Sequence, residues 1–116
     1  METKESIQLK NLDIEEKEYL GRIARQQAYN RLQKNQDFKF LFEEWYLKEE
    51  AVRLVHLQGT PANDNESNAS HIQRQLISIS GLAEKLRIIE SLGRDAGSKL
   101  EEVRDTRQEI INESDE

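Results

Sequence analysis

Cysteine is absent from the chain, which excludes disulfides and thiolate metal centres and allows a reducing compartment. Proline occurs once, at Pro61, and glycine five times, so long uninterrupted helices are permitted almost everywhere else. No apolar run approaches the roughly 20 residues needed to cross a bilayer, and the start of the chain has no signal-peptide core. Positive charge is in deficit: the net charge of −6 argues against general affinity for DNA or anionic lipid. These bounds lead us to expect a soluble intracellular helical protein.

Catalytic patterns are missing as well. There is no glycine-rich phosphate loop and no nucleophile elbow. His56 and His71 flank a polar segment, but neither has the carboxylates or thiols that would complete a metal set. Glu43, Glu44, Glu49 and Glu50 lack the Glu-x-x-His pattern of di-iron bundles and read as a solvated face. The aromatic cluster from Phe38 to Tyr46 runs into acidic residues, which speaks against nucleic acid. The expectation is a protein that is not an enzyme and has no cofactor or metal.

What is present is helical periodicity. The chain has 116 residues, 35% apolar and 34% charged, a balance suited to an elongated helical protein with little interior. Ile72, Ile79, Leu82, Leu86, Ile89, Gly93, Ala96, Leu100, Val103 and Ile110 recur at alternating spacings of about three and four, the mark of a narrow coiled-coil-like seam. This predicts one long helix over 70–112, opened by Ser70. It is followed by an acidic tail at 113–116.

Upstream, residues 1–12 read as a flexible arm, with Ile7, Leu9 and Leu12 able to dock it on a neighbour. Asp13 and Glu16 form a possible capping box for a helix over 13–34, with Leu20, Ile23, Ala24, Ala28 and Leu32 along one side. From Gly21 to Lys34 that helix carries Arg22, Arg25, Arg31 and Lys34 and no acid. This stretch is either a contact for an acidic partner or a solvated face answering Glu101, Glu102 and Asp105. The apolar pattern then loses register near Asn35, where a kink, a turn and continuous helix all remain open.

A second helix over 37–57 is apolar on two sides. Phe38, Phe42, Trp45 and Val52 are assigned to a hairpin seam with Ile79, Leu82, Leu86, Ile89 and Leu100. Phe40, Leu47 and Leu54 are assigned to a partner interface, together with Arg22 and Arg25. Gly59, as a left-handed cap, and Pro61 end the helix and open a solvated loop over 58–69.

The helix lengths match a long antiparallel hairpin spanning 13–112, with a kink in its first arm near Asn35 left open. In that register Trp45 lies opposite Ala83, and the Gly93–Gly97 region lies opposite the polar break. A three-helix bundle is the alternative. One narrow seam is little burial for so many ordered residues, so the chain should oligomerise or dock on a larger protein assembly.

The order of features resembles a known class: Gly21-Arg22-x-Ala24, a polar break, Asp37-Phe38-x-x-Leu41, a Trp/Tyr helix, a polar loop, and Gly93-x-x-Ala96. It is similar to small helical-hairpin proteins encoded among the structural and packaging genes of tailed bacteriophages. The resemblance implies a non-enzymatic structural or assembly protein, located in the virion or the host cytoplasm and acting through protein–protein contacts. A free regulatory adaptor that binds a host or phage enzyme through Arg22 and Arg25 is the second reading.

Overall fold

The computed structural model describes residues 3–114, and every regular element among them is helical. In chain order these are α1 (Lys4–Gln33), α2 (Gln36–Phe38), a π-helical segment (Lys39–Glu49), α3 (Glu50–Gln58), a 3₁₀ turn (Pro61–Asn63) and α4 (Glu66–Ser114). The protein is all-α, as its sequence pattern predicts.

The helix boundaries differ from expectation in four places. First, α1 begins at Lys4, so the segment expected as a flexible arm is helical from there on. Residues 1–2 of that arm and 115–116 of the acidic tail lie outside the described residues. Second, Asp13 and Glu16 lie inside α1 and cap nothing; their carboxylates pair with arginines of α4 instead. Third, α4 opens at Glu66 rather than at Ser70, because the Asn65 side-chain oxygen accepts the Asn68 backbone N–H at 2.9 Å. Fourth, Gly59 has φ −83°, not a left-handed value. Its N–H instead donates to the carbonyls of Val55 and His56, and extended Thr60 leads into Pro61.

At Asn35 the chain breaks rather than kinks. Asn35 is extended (φ −77°, ψ 126°), and its side chain accepts from the Phe38 N–H at 3.0 Å, which starts a new helix with Asp37 in the first turn. The connection between α3 and α4 is shorter and better held than a loose loop. Asn63 donates to the Leu57 carbonyl at 3.1 Å, and Asn68 donates to the Asn63 side-chain oxygen at 3.2 Å.

By internal packing the chain forms two units, residues 1–29 with 89–116, and residues 30–88. In the first, α1 lies against the second half of α4. Gln26 meets Gly93, Glu16 meets Arg104, and Asp13 meets Arg107, so the two helices run antiparallel. Gly93 faces Gln26 of α1, not the polar break near Asn35 that the expected register placed opposite it. No residue of α1 is buried. Its half-buried face is Leu9, Leu12, Glu16, Tyr19, Ile23 and Gln26, spaced three and four apart. Of the apolar side expected for this helix only Ile23 lies on that face, while Leu20, Ala24, Ala28 and Leu32 are exposed. The inward face has to carry Glu16 for the arginines and Gln26 for the gap at Gly93, so an apolar wheel points the wrong way. On α4 the seam is as expected: Ala96, Leu100 and Val103 are buried.

In the second unit the core is Leu54, Ile72 and Ile79, with Tyr46, Leu47, Ala51, Leu57 and Leu76 packed around it. The chain turns back through the 3₁₀ turn, so α3 and the start of α4 form a second helix pair. Each unit therefore carries the hairpin type of pairing.

Three glycines of α4 give a clean test of close approach. A Cβ on Gly93 would overlap the Cβ of Gln26 and come within 2.6 Å of its Oε1, whereas Gly81 and Gly97 have nothing within 4 Å. The Gln26 Cβ is fixed to its backbone and can move only if the helices separate. Gly97→Ala and Gly81→Ala should each stabilise the fold by about 0.5–1 kcal/mol through helix propensity. Gly93→Ala should instead destabilise it by about 1–3 kcal/mol, as overpacking does. Urea unfolding followed by circular dichroism measures all three.

Candidate interaction surface

Lys39–Glu49 is a π-helix, in which backbone bonds reach the fifth residue back; the Lys39 N–H still donates to the Asn35 carbonyl four back, and the Glu50 N–H reaches the Trp45 carbonyl. Such a wide turn brings residues four and five apart onto one face, where an α-helix would align those three and four apart. The rings of Phe38 and Phe42 stack at 5.3 Å, and Phe42 meets Tyr46 edge-on at 6.4 Å, in steps of four.

The wide turn moves the faces of this helix. Leu54 is 1% exposed and Leu47 packs against it, although both were expected to face a partner. Trp45 and Val52, expected in the seam, are 47% and 53% exposed, and Phe42 is also exposed. Phe40, at 65%, is the one member of the expected trio that faces outward. Of the other residues assigned to the seam, Ile79 and Leu100 are buried, and Phe38, Leu82, Leu86 and Ile89 are half-buried. An apolar wheel at about 100° per residue drifts in phase across this segment, and that drift explains the exchange. A spacing of four to five in Phe38, Phe42, Leu47 and Ala51 is the signal that could have revealed it.

Exposed in this way, Phe40, Leu41 and Trp45 form the walls of a shallow groove of about 350 Å³, with the Glu44 and Glu49 carboxylates beside them. Neither glutamate has an ion-pair partner among the described residues, unlike Glu50, which bonds Arg53. Val52 and Val55 leave α3 with further exposed apolar surface.

The basic stretch of α1 is only partly engaged. Arg22 pairs with Glu18 at 2.5 Å and sits 5.6 Å from the centre of the Tyr19 ring. Arg25, Arg31 and Lys34 are exposed and make no ion pair among the described residues; Glu101, Glu102 and Asp105 do not answer them. Across α1 and α4, Arg107 bridges Asp13 at 2.8 Å and Glu16 at 2.5 Å, with Arg104 3.7 Å from Glu16. Sequence reasoning missed this cluster because its members are far apart in the chain.

No group of three His, Cys, Asp or Glu side chains among the described residues could hold a metal ion. His71 shares a 2.8 Å hydrogen bond with Gln75. No helix among the described residues is long and apolar enough to cross a membrane.

Two consequences can be measured. Leu54→Ala should cost about 2–4 kcal/mol in unfolding free energy, while Val52→Ala should cost under about 0.5 kcal/mol; the reverse order would restore the expected faces. The second concerns pH. Hydrogen bonding from Arg87 holds the Glu84 carboxyl below its ordinary value, as Arg53 does for Glu50. A depressed carboxylate stabilises the fold above its unfolded value and loses that contribution as pH falls through the folded one. Melting temperature should therefore fall on acidification through and below the usual carboxylate range, and Glu84→Gln should flatten that fall. An unchanged slope in Glu84→Gln would show that the pair adds nothing to stability.

No protein-family model matches the chain, and no curated protein and no solved structure matches it.

Proposed function

We propose that this chain is a non-enzymatic structural or assembly protein that works through helix-mediated contacts, in an oligomer or on a larger particle. One observation carries the reading. The π-helical segment and α3 present Phe40, Leu41, Trp45, Val52 and Val55 to solvent, each at least 47% exposed. Phe40, Leu41 and Trp45 share one groove, and exposed apolar patches of this kind are typical of protein interfaces. Aromatic anchors such as Trp45 and Phe40 are the residue types that dominate binding energy there.

A particle of the tailed-phage kind is the setting that the resemblance of the helical order supplies. The surface itself requires only a protein partner. Nothing in the proposal calls for a cofactor, nucleic acid or a membrane.

The test is retention in purified particles. Mass spectrometry should find the wild-type chain there. A Phe40→Ser, Trp45→Ser variant with unchanged helical circular dichroism should be depleted at least tenfold. Particles that contain none of the wild-type chain would refute the particle setting. Equal retention of the variant would show that this surface does not make the contact.

A further inference from the structure

Two surfaces of this chain carry unanswered charge of opposite sign, each beside exposed apolar groups. In the groove, Glu44 and Glu49 stand next to Phe40, Leu41 and Trp45 with no cation paired to them among the described residues. At the end of α1, Arg31 and Lys34 flank exposed Leu32, with no carboxylate paired to them among the described residues. No acidic residue occurs between Gly21 and Lys34, so nothing along this part of the helix neutralises those cations.

We infer that the groove of one copy receives the basic end of α1 from a second copy. This rests on the assembly reading above and names the partner. The chemistry matches group by group. A guanidinium or ammonium group with an apolar stem can lay the stem along Phe40 and Leu41 and set its charge over the Trp45 ring. There it meets two carboxylates, so Arg31 or Lys34 exchanges water for a charge-assisted hydrogen bond. Leu32, 43% exposed, supplies apolar contact between them.

The two patches are different, so two copies that fill each other's grooves close a two-fold pair, and a copy that gives its basic end to a third extends head to tail into a ring or an open filament. Charge complementarity also makes the contact sensitive to salt, since both patches face solvent.

Charge reversal tests the pairing in the full-length protein. The wild type should show a mass that rises with concentration in light scattering after size exclusion, with weaker association at high salt. Glu44→Lys, Glu49→Lys in one variant should leave it monomeric. Arg31→Glu, Lys34→Glu in another should do the same, both with unchanged helical circular dichroism. An equimolar mixture should associate again, because each variant's groove then finds an oppositely charged α1 end on the other.

A wild type that is monomeric at every concentration and at low salt would overturn the inference. So would two variants that each remain monomeric and fail to associate when mixed. Association that survives both reversals would place the self-contact elsewhere and overturn it too. Failure here combined with loss of the Phe40→Ser, Trp45→Ser variant from particles would leave the assembly reading standing and assign the groove to a different protein.

Discussion

The phase of one helix governs how this molecule presents itself. Between Lys39 and Glu49 the hydrogen bonds reach back five residues rather than four, so each side chain sits at a different angle from the one an α-helix would give it. By Glu50, where α3 resumes the tighter turn, the stripe that continues into Leu54 and Leu57 has come round to meet Ile72 and Ile79. The same shift carries Phe40, Leu41 and Trp45 outward. Core and exposed surface are therefore set by a single departure from regular geometry. Wide turns of this kind are rare and are often found where a protein makes functional contacts.

Packing on α4 follows a different logic. Its second half relies on small residues: Gly93 and Ala96 let α1 approach closely enough for Gln26 to fill the space where a side chain would otherwise stand. Close backbone approach replaces bulk, which is why α1 can pack against α4 without burying any residue of its own. The bridge from Arg107 to Asp13 and Glu16 then fixes the register of a contact that small apolar groups alone specify weakly. With Glu16 and Arg107 each about a quarter exposed, the bridge is more protected than a fully solvated pair. It contributes orientation as well as modest stability.

Much of this was legible in the residues. The helical class, the long C-terminal helix and its seam from Ile72 to Val103 follow from three-and-four spacing, and the seam's burial follows that spacing. The two faces around Trp45 did not, because a wheel drawn at constant pitch cannot detect a change of pitch within one helix. The inward face of α1 was hidden for another reason. Its partners are a glycine and two arginines, so polar Glu16 and Gln26 belong inside and Leu20 and Leu32 outside, against the usual sense of hydrophobic patterning. Ser70 stands nearer the first seam residue than Asn65 does, so the seam pattern alone points to the later cap. Local rules such as capping held where a break was already visible, as at Asn35; they misled where tertiary contacts recruited the same side chains, as at Asp13 and Glu16.

What remains is why an acidic chain should keep Arg31 and Lys34 at the end of α1, and Glu44 and Glu49 beside an exposed tryptophan, without an ion-pair partner among the described residues. Intramolecular pairing was available in principle, since other arginines of this chain do pair: Arg53, Arg87 and Arg94 each find a glutamate three or four residues away, and Arg107 reaches across to another helix. Arg31 and Lys34 have no acid at such a spacing on their N-terminal side. Exposed charges contribute little to the stability of a fold, whether paired or not. Their larger effect is on the rate and orientation of encounter, while desolvated aromatic groups supply most of the affinity. A surface that combines Phe40 and Trp45 with directed charge therefore has the two components that an oriented protein contact requires.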